Sequence, residues 1–246
     1  MTRIPIIILF LAILHVSHTL STQKYEIGKL SGSMIHIKHP KSESAVVSRD
    51  ILEQFVETYD FDNKLEVRAR DYRSKPGDRN DMSLSLLFPA DSLQNMPKMK
   101  RVVDDMEELI VAMARTNCEE NDHLTLTARL TIRCPKFHED NVDWRLLKTY
   151  YGIGTQFVDP ADNITRLSNW IRRGLDMDLN IPPHKIKQAD EGDILVIAGG
   201  KRFQADKGAI PVLHRSPNPK PNTNPSRLQD SSGATSRRLL FSITIN

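Results

Sequence analysis

The sharpest pattern along the chain is a change of hydrophobic period. From Met99 to Ala114, the apolar residues Val102, Met106, Leu109 and Met113 recur at helical intervals, and the acidic pairs Asp104–Asp105 and Glu107–Glu108 lie largely off that stripe. The spacing predicts a helix with one apolar side laid on a sheet. Shortly afterwards the period drops to two. Leu124, Leu126, Ala128, Leu130 and Ile132 alternate strictly with Thr125, Thr127, Arg129 and Thr131. An alternating, threonine-rich run predicts a half-buried strand.

The remaining segments follow the same two periods. Ser48 to Tyr59 reads as a helix, with Ser48 as its N-cap and Ile51, Leu52, Phe55 and Val56 on its apolar side. Strands are expected over Arg145 to Tyr151, Asp193 to Ala198, Ile210 to His214 and Leu239 to Ile245, and a helical insertion over Leu167 to Leu175. Turn signals separate them at Gly152-Ile-Gly154, at Gly199-Gly200 and in the Pro/Asn/Ser-rich stretch 216–236. The combination is an α+β chain. Its core is expected to be a β-sandwich or double-stranded β-helix-like jelly roll, with helices packed outside, mostly N-terminal.

The first residues differ in kind. Met1-Thr-Arg3 precedes an apolar run from Ile6 to Leu14, which is too short to span a bilayer as a helix. This is the form of a secretory signal peptide cleaved near Ser21. The expected organisation is a leader over 1–22, a flexible lead-in over 23–45 and one domain over 46–246, helical over 46–118 and β-rich over 119–246. Export follows if the leader is a signal peptide, and a membrane-anchored or cytoplasmic location if it is not. No stable membrane span is expected once the leader is cleaved.

Composition narrows the partners. Hydrophobic residues make up 39% and charged residues 26% of the chain, as in ordinary globular proteins. The net charge of +3 is small and its basic residues are scattered, so no nucleic-acid partner is expected. No glycine-rich phosphate loop is present, which leaves a small molecule or a metal as the expected ligand. Cys118 and Cys134 are too few for a disulfide scaffold, though they could form one bridge in an oxidising compartment. Asn163-Ile-Thr165 is a glycosylation sequon that matters only there.

The candidate chemistry lies in Cys134-Pro-Lys-Phe-His-Glu-Asp140 and the distant His214-Arg-Ser-Pro217. His138 and Asp140 are two apart, so in extended backbone both side chains point to one face. His214, at the end of the Ile210–Val212–His214 face, is the natural third ligand. Two imidazoles and a carboxylate suit Fe(II) with open coordination positions. The same set could hold Zn(II), with Cys134 as a softer fourth ligand that closes the site. Arg237 shares parity with Leu239, Phe241, Ile243 and Ile245, the face expected to point inward, where a guanidinium needs an anionic partner. A carboxylate co-substrate would serve, and so would a structural ion pair with Asp193 or Asp143. Arg145 and Arg215 are secondary candidates.

These segments occur in a fixed order with Arg145-Leu-Leu-Lys-Thr-Tyr150, Gly152-Ile-Gly-Thr155, Gly192-Asp-Ile-Leu195 and Arg237-Arg-Leu-Leu240. The series resembles the domain of unknown function 1826 family, from about Val46 to the C-terminus. The resemblance implies that Cys134, His138, Asp140, Tyr150, Gly154, Thr155 and His214 are signature positions, which adds Tyr150 and Thr155 as candidates for holding a co-substrate. It implies metal handling without supplying an activity. Two departures stand out. Ile153 replaces the family's proline, and Ala198-Gly-Gly-Lys201 shifts its lysine. Two functions are therefore carried forward. One is an Fe(II)/2-oxoacid-dependent oxygenase using the His-x-Asp…His triad. The other is a non-enzymatic zinc-binding protein of metal homeostasis. A catalytic zinc site with an activated water is a third.

Overall fold

The computed structural model describes residues 25–38, 46–73, 84–130, 136–162, 181–205, 209–217 and 237–245. Among the described residues, nine strands form two antiparallel sheets. They are β1 (Met34–Ile37), β2 (Asp62–Arg68), β3 (His123–Arg129), β4 (Trp144–Tyr151), β5 (Gln156–Val158), β6 (Ile186–Gln188), β7 (Ile194–Ala198), β8 (His214–Arg215) and β9 (Leu239–Ile245). The large sheet has the order β1-β7-β4-β9-β3-β2 and the small one β6-β5-β8. An isolated bridge from His138 to His214 extends the small sheet beyond β8. From β3 onward the chain passes repeatedly between the sheets, which is the alternation of a jelly roll.

Both faces of the large sheet are covered, by different partners. On one face Leu124, Leu126, Leu146, Val196, Phe241 and Ile243 meet the two main helices, α1 (Arg49–Thr58) and α4 (Lys100–Asn117), in the principal core. Val102, Met106, Leu109 and Met113 of α4 are all fully buried there, as the helical period requires. On the other face Leu147, Leu195, Ile197 and Leu240 meet Phe157, Ala189 and Val212 from the small-sheet side. Strand β9 is therefore buried along its whole length. It lies between two layers and has no solvent face.

Four expectations need correction. The segment 23–45 is not a flexible lead-in throughout: Tyr25, Ile27 and Leu30 are buried, and β1 pairs with β7 from Met34–Ile197 to Ile37–Ile194. A few well-placed apolar side chains and one free sheet edge suffice to order residues 25–38, despite their glycines and serines. Helix is not mainly N-terminal either. Besides α1, α2 (Arg70–Arg73), α3 (Ser92–Asn95) and α4, there is α5 (Gly200–Ala205), and helical turns occur at Pro160–Asp162 and Pro183–Lys185. Nor is the N-terminal part purely helical, since β2 pairs with β3 along its full length. The strand expected over 210–214 is short, with only His214–Arg215 in ladder geometry. The helical insertion over 167–175 lies outside the described residues, as do the leader and the sequon. No helix among the described residues is long and apolar enough to cross a membrane.

The apolar face of the large sheet holds one charged group. Lys148 of β4 points into the principal core with 1% of its side chain exposed, and its Nζ lies 2.8 Å from Asp105 of α4. Tyr25 donates to the same carboxylate at 2.6 Å and Tyr150 at 2.7 Å. The two phenol rings also flank the ammonium, each with its centroid 4.8 Å away. Burial, followed by the Asp105 charge, raises both phenols well above their ordinary range, so they stay protonated donors. Asp105 is thus a core residue, although it sits off the hydrophobic stripe. The cluster ties the N-terminal segment, α4 and β4 together. Replacing Asp105 with Asn should leave the ammonium buried without its counter-charge and cost about 3–5 kcal/mol, the typical penalty for breaking a buried pair. Urea unfolding of D105N against the parent checks this.

Candidate metal centre

The backbone brings the site together before any side chain acts. His138 N–H donates to the His214 carbonyl at 3.0 Å and His214 N–H returns the bond to the His138 carbonyl at 3.0 Å. This reciprocal pair sets the two residues opposite each other across the small sheet, with ring centroids 4.5 Å apart. Asp140, two residues on, reaches the same place. Its Oδ2 lies 3.1 Å from His214 Nε2, and its Oδ1 lies 3.8 Å from His138 Nε2. One ligand atom from each of His138, Asp140 and His214 falls within 4.8 Å of the other two.

The hydrogen bonds around the imidazoles decide what these atoms can do. His138 Nδ1 bonds the Lys136 carbonyl at 3.0 Å, and His214 Nδ1 bonds the Val212 carbonyl at 3.0 Å. A carbonyl only accepts, so each Nδ1 must carry the proton. In the neutral rings both Nε2 lone pairs then face the Asp140 carboxylate, and such an arrangement repels itself unless a cation sits between. A proton or a divalent metal would serve. Two neutral imidazole nitrogens and one carboxylate oxygen, each oriented from behind, are the donor set of a facial metal site.

Arg145 completes the support of the carboxylate. From β4 its Nη1 lies 2.8 Å from Asp140 Oδ2, and its Nε donates to Thr244 Oγ1 at 3.1 Å. Burial works to raise the Asp140 carboxyl, but His214, Arg145 and His138 together outweigh it and hold the group below the usual carboxylate range. His138 is shifted down, by burial first and the neighbouring His214 second. Behind the triad, Gly200 N–H bonds the Asp140 carbonyl at 2.7 Å and fixes the loop that carries it.

The other candidates separate. Arg237 does not enter the site. Its Nη1 donates to the Val56 and Tyr59 carbonyls at 2.7 and 3.0 Å, which closes the C-terminal end of α1. Its parity partners do point to a core, but that core is the helical one on the far side of the sheet. Asp193, considered as its partner, pairs with His36 at 2.8 Å. Tyr150 is likewise on the helical side, in the Asp105 cluster. Arg215 stacks over Phe137 at 4.3 Å, beside His214 in sequence and with opposite parity to it. Cys134 lies outside the described residues, and Cys118 is buried at the end of α4.

Thr155 stands two residues before Phe157, which is paired with His214 in the small sheet. Beside it is Arg238, whose sequence parity with Ser242 and Thr244 marks the more polar side of the last strand. The Arg238 side chain donates to Ser216 Oγ at 2.9 Å and to Thr155 Oγ1 at 3.5 Å. Ser216 follows His214 by two residues, so both share a face. Arg238 is 3% exposed, and its buried Nε has no hydrogen-bond partner among the described residues. Burial, reinforced by Arg129, lowers the guanidinium to about 10. The turn before Thr155 makes this packing feasible. Gly152 has φ +90°, and a Cβ there would come within 2.6 Å of the Arg237 carbonyl.

With this geometry in hand, the chain can be set beside known proteins. It belongs to the family described as "Protein of unknown function (DUF1826)", whose model matches residues 29–229. The match takes in β1 and ends before β9. No curated protein matches the chain. Among solved structures, a full-length Neurospora crassa protein in complex with alpha-KG and 5-formyluracil shares 12% identity, over 88% of this chain and 74% of that one, with a TM-score of 0.36. Dioxygenase for auxin oxidation 1 of Arabidopsis thaliana with 2-oxoglutarate shares 8%, over 87% and 83%, with a TM-score of 0.35. The rice dioxygenase for auxin oxidation shares 11%, over 87% and 73%, at 0.39.

The downward shift of His138 has a measurable sign. Its folded pKa lies below the unfolded value of about 6.5, so the unfolded chain binds the extra proton first. Stability of the metal-free protein should therefore fall as pH drops from about 6.5 toward the lowered folded value. Urea midpoints taken from pH 7.5 down to 5 should show this slope, and His138→Gln should flatten it.

Proposed function

We propose that the protein is a non-haem Fe(II) enzyme of the 2-oxoacid-dependent oxygenase type on a double-stranded β-helix core. His138, Asp140 and His214 are its metal ligands, and Arg238 is its co-substrate anchor. The observation that carries the reading is a conjunction. A His/Asp/His group with both Nε2 atoms turned inward shares its face with a buried arginine whose Nε lacks a hydrogen-bond partner among the described residues.

Each residue has a distinct task. The Lys136 and Val212 carbonyls fix the tautomers, so His138 and His214 present lone pairs without rearrangement. Arg145 engages one oxygen of Asp140 and favours single-oxygen ligation through the carboxylate. Three protein ligands leave positions open, and the bound metal supplies activation of oxygen and of the 2-oxoacid there. Arg238 offers a planar fork to a carboxylate, and Thr155 and Ser216 add hydroxyls beside it. A carboxylate would also relieve the desolvation that lowers Arg238. Arg238 thus takes the role that parity had given to Arg237.

The test uses the full chain, prepared without oxygen. Fe(II) should bind at one equivalent, and added 2-oxoglutarate should raise a weak visible charge-transfer band. His214→Ala should abolish both. Arg238→Met should keep the metal but weaken 2-oxoglutarate by roughly ten- to a hundred-fold, the loss of one charged hydrogen-bonded contact of about 1.5–3 kcal/mol. Stoichiometric zinc that Fe(II) cannot displace, with no band, would favour the non-enzymatic zinc protein instead.

A further inference from the structure

The face of the large sheet that looks toward the small sheet is divided into two halves of different chemistry. Toward β7 it carries Leu147, Leu195 and Ile197, packed against Phe157 and Val212. Toward β3 it carries hydroxyls in register. Thr125 is paired with Thr244, and Thr244 with Arg145; Thr127 is paired with Ser242. Thr127 and Ser242 hydrogen-bond at 2.6 Å, and Arg129 donates to Thr127 at 3.2 Å. Ser242 and Thr244 are nearly inaccessible, at 1% and 3%, whereas Thr125, Thr127 and Arg129 are half-buried. A strand interior with free choice of residue favours β-branched or aromatic apolar side chains at buried positions. This half of the face has hydroxyls and guanidiniums in their place.

The polar half is the one that meets the triad. Arg145, which bonds Thr244, also holds Asp140. Arg238, which precedes Leu240 on the same face, reaches Ser216 beside His214. The charges on this wall do not cancel. Arg129, Arg145 and Arg238 stand against Asp62, 3.8 Å from Arg129, and Asp140, which leaves one positive charge. Farther out on β2, Lys64 and Glu66 neutralise each other at 2.7 Å, and Arg68 at the end of the strand is exposed to solvent. A divalent metal and a doubly charged 2-oxoacid add nothing to the balance between them. Among the described residues one positive charge therefore remains for the molecule that reacts.

From this wall we infer that the primary substrate is a small hydroxyl-rich monoanion of the hydroxy-acid or sugar-acid class, seated against Thr125, Thr127, Ser242 and Thr244. The inference rests on the oxygenase reading above, because the charge balance includes its metal and co-substrate. Such a site rejects apolar analogues strongly, since its half-buried hydroxyls, Thr125 and Thr127, would lose water without replacement, while Ser242 and Thr244 back them from within the sheet.

Three six-carbon probes separate the features: gluconate carries hydroxyls and charge, sorbitol hydroxyls alone, and hexanoate charge alone. The full chain is loaded with Mn(II) in place of iron and with 2-oxoglutarate, and the proton relaxation of each probe is measured. Gluconate should be relaxed at least about five-fold more than either of the others. Thr127→Val combined with Ser242→Ala removes both partners of one hydrogen bond, and with it the acceptor of the longer Arg129 contact. That double variant should weaken gluconate about ten-fold and leave Mn(II) affinity unchanged. Equal or greater relaxation of hexanoate, or a double variant with parental gluconate binding, would overturn the inference. Free Mn(II), counted by electron paramagnetic resonance, reports separately on the metal reading. If Mn(II) does not bind, saturation-transfer spectra of the metal-free chain with the same probes read the wall alone: a preference for gluconate supports it, and none overturns it.

Discussion

The reciprocal backbone pair between His138 and His214 is the constraint on which the site depends. Two short segments, far apart in sequence, are held at ladder distance by two hydrogen bonds of 3.0 Å. Neither segment is a long strand in its own right. His214 belongs to a two-residue strand, and His138 to an isolated bridge. Their side chains nevertheless meet, because a ladder fixes parity, and parity sends both imidazoles and Asp140 to one side. A slip of one residue at this bridge would turn His138 outward and bring Glu139 into its place.

The large sheet makes such a weak pairing sufficient. Its helical face supplies most of the hydrophobic burial, through α1, α4 and the core residues of β3, β4, β7 and β9. The opposite face is then free to carry groups that lower stability. Arg238, Ser242 and Thr244 are buried there at a desolvation cost that an all-apolar face would not incur. On the helical face the only comparable polarity among the described residues is the Lys148–Asp105 pair with its two tyrosines, and each of its charges is satisfied. The two arginines that lead into β9 differ in just this respect. The half-buried Arg237 ends on backbone carbonyls that needed a donor, while the buried Arg238 ends on two hydroxyls, and its Nε has no hydrogen-bond partner among the described residues.

Much of this could be read from the sequence where one rule operated alone. The period of α4, the alternation of β3 and the span of β9 correspond closely to the structure, as does the spacing that joins His138 to Asp140. Reading failed where two layers competed. Parity along 237–245 separates two faces correctly, but it makes only the one with Leu239, Phe241, Ile243 and Ile245 the inward face. In the structure both faces are interior, and it is Arg238, not Arg237, that reaches the small-sheet side. Asp105 failed for a related reason. A carboxylate beside a hydrophobic stripe reads as exposed unless its partner, here a lysine on a distant strand, is known. The ordering of 25–38 was equally illegible, because it depends on Asp105 and on the free edge of β7.

Arg145 shows why the wall and the triad act as one unit. A carboxylate ligand shared with a guanidinium gives part of its charge away, which weakens its hold on a metal. A storage site built for affinity alone would gain by replacing that arginine with a neutral donor. Here an arginine stands in that place, bonded also to Thr244, a member of the hydroxyl wall. Any molecule that binds Thr244 therefore shifts the hydrogen-bonding of Arg145, and through it the charge on Asp140. On the proposed reading, the arrangement would couple occupancy of the wall to the electron density of Asp140 through two contacts of 3.1 and 2.8 Å. Such coupling would have a use in an enzyme that must react only when its substrate is seated, and none in a carrier that holds a metal for delivery.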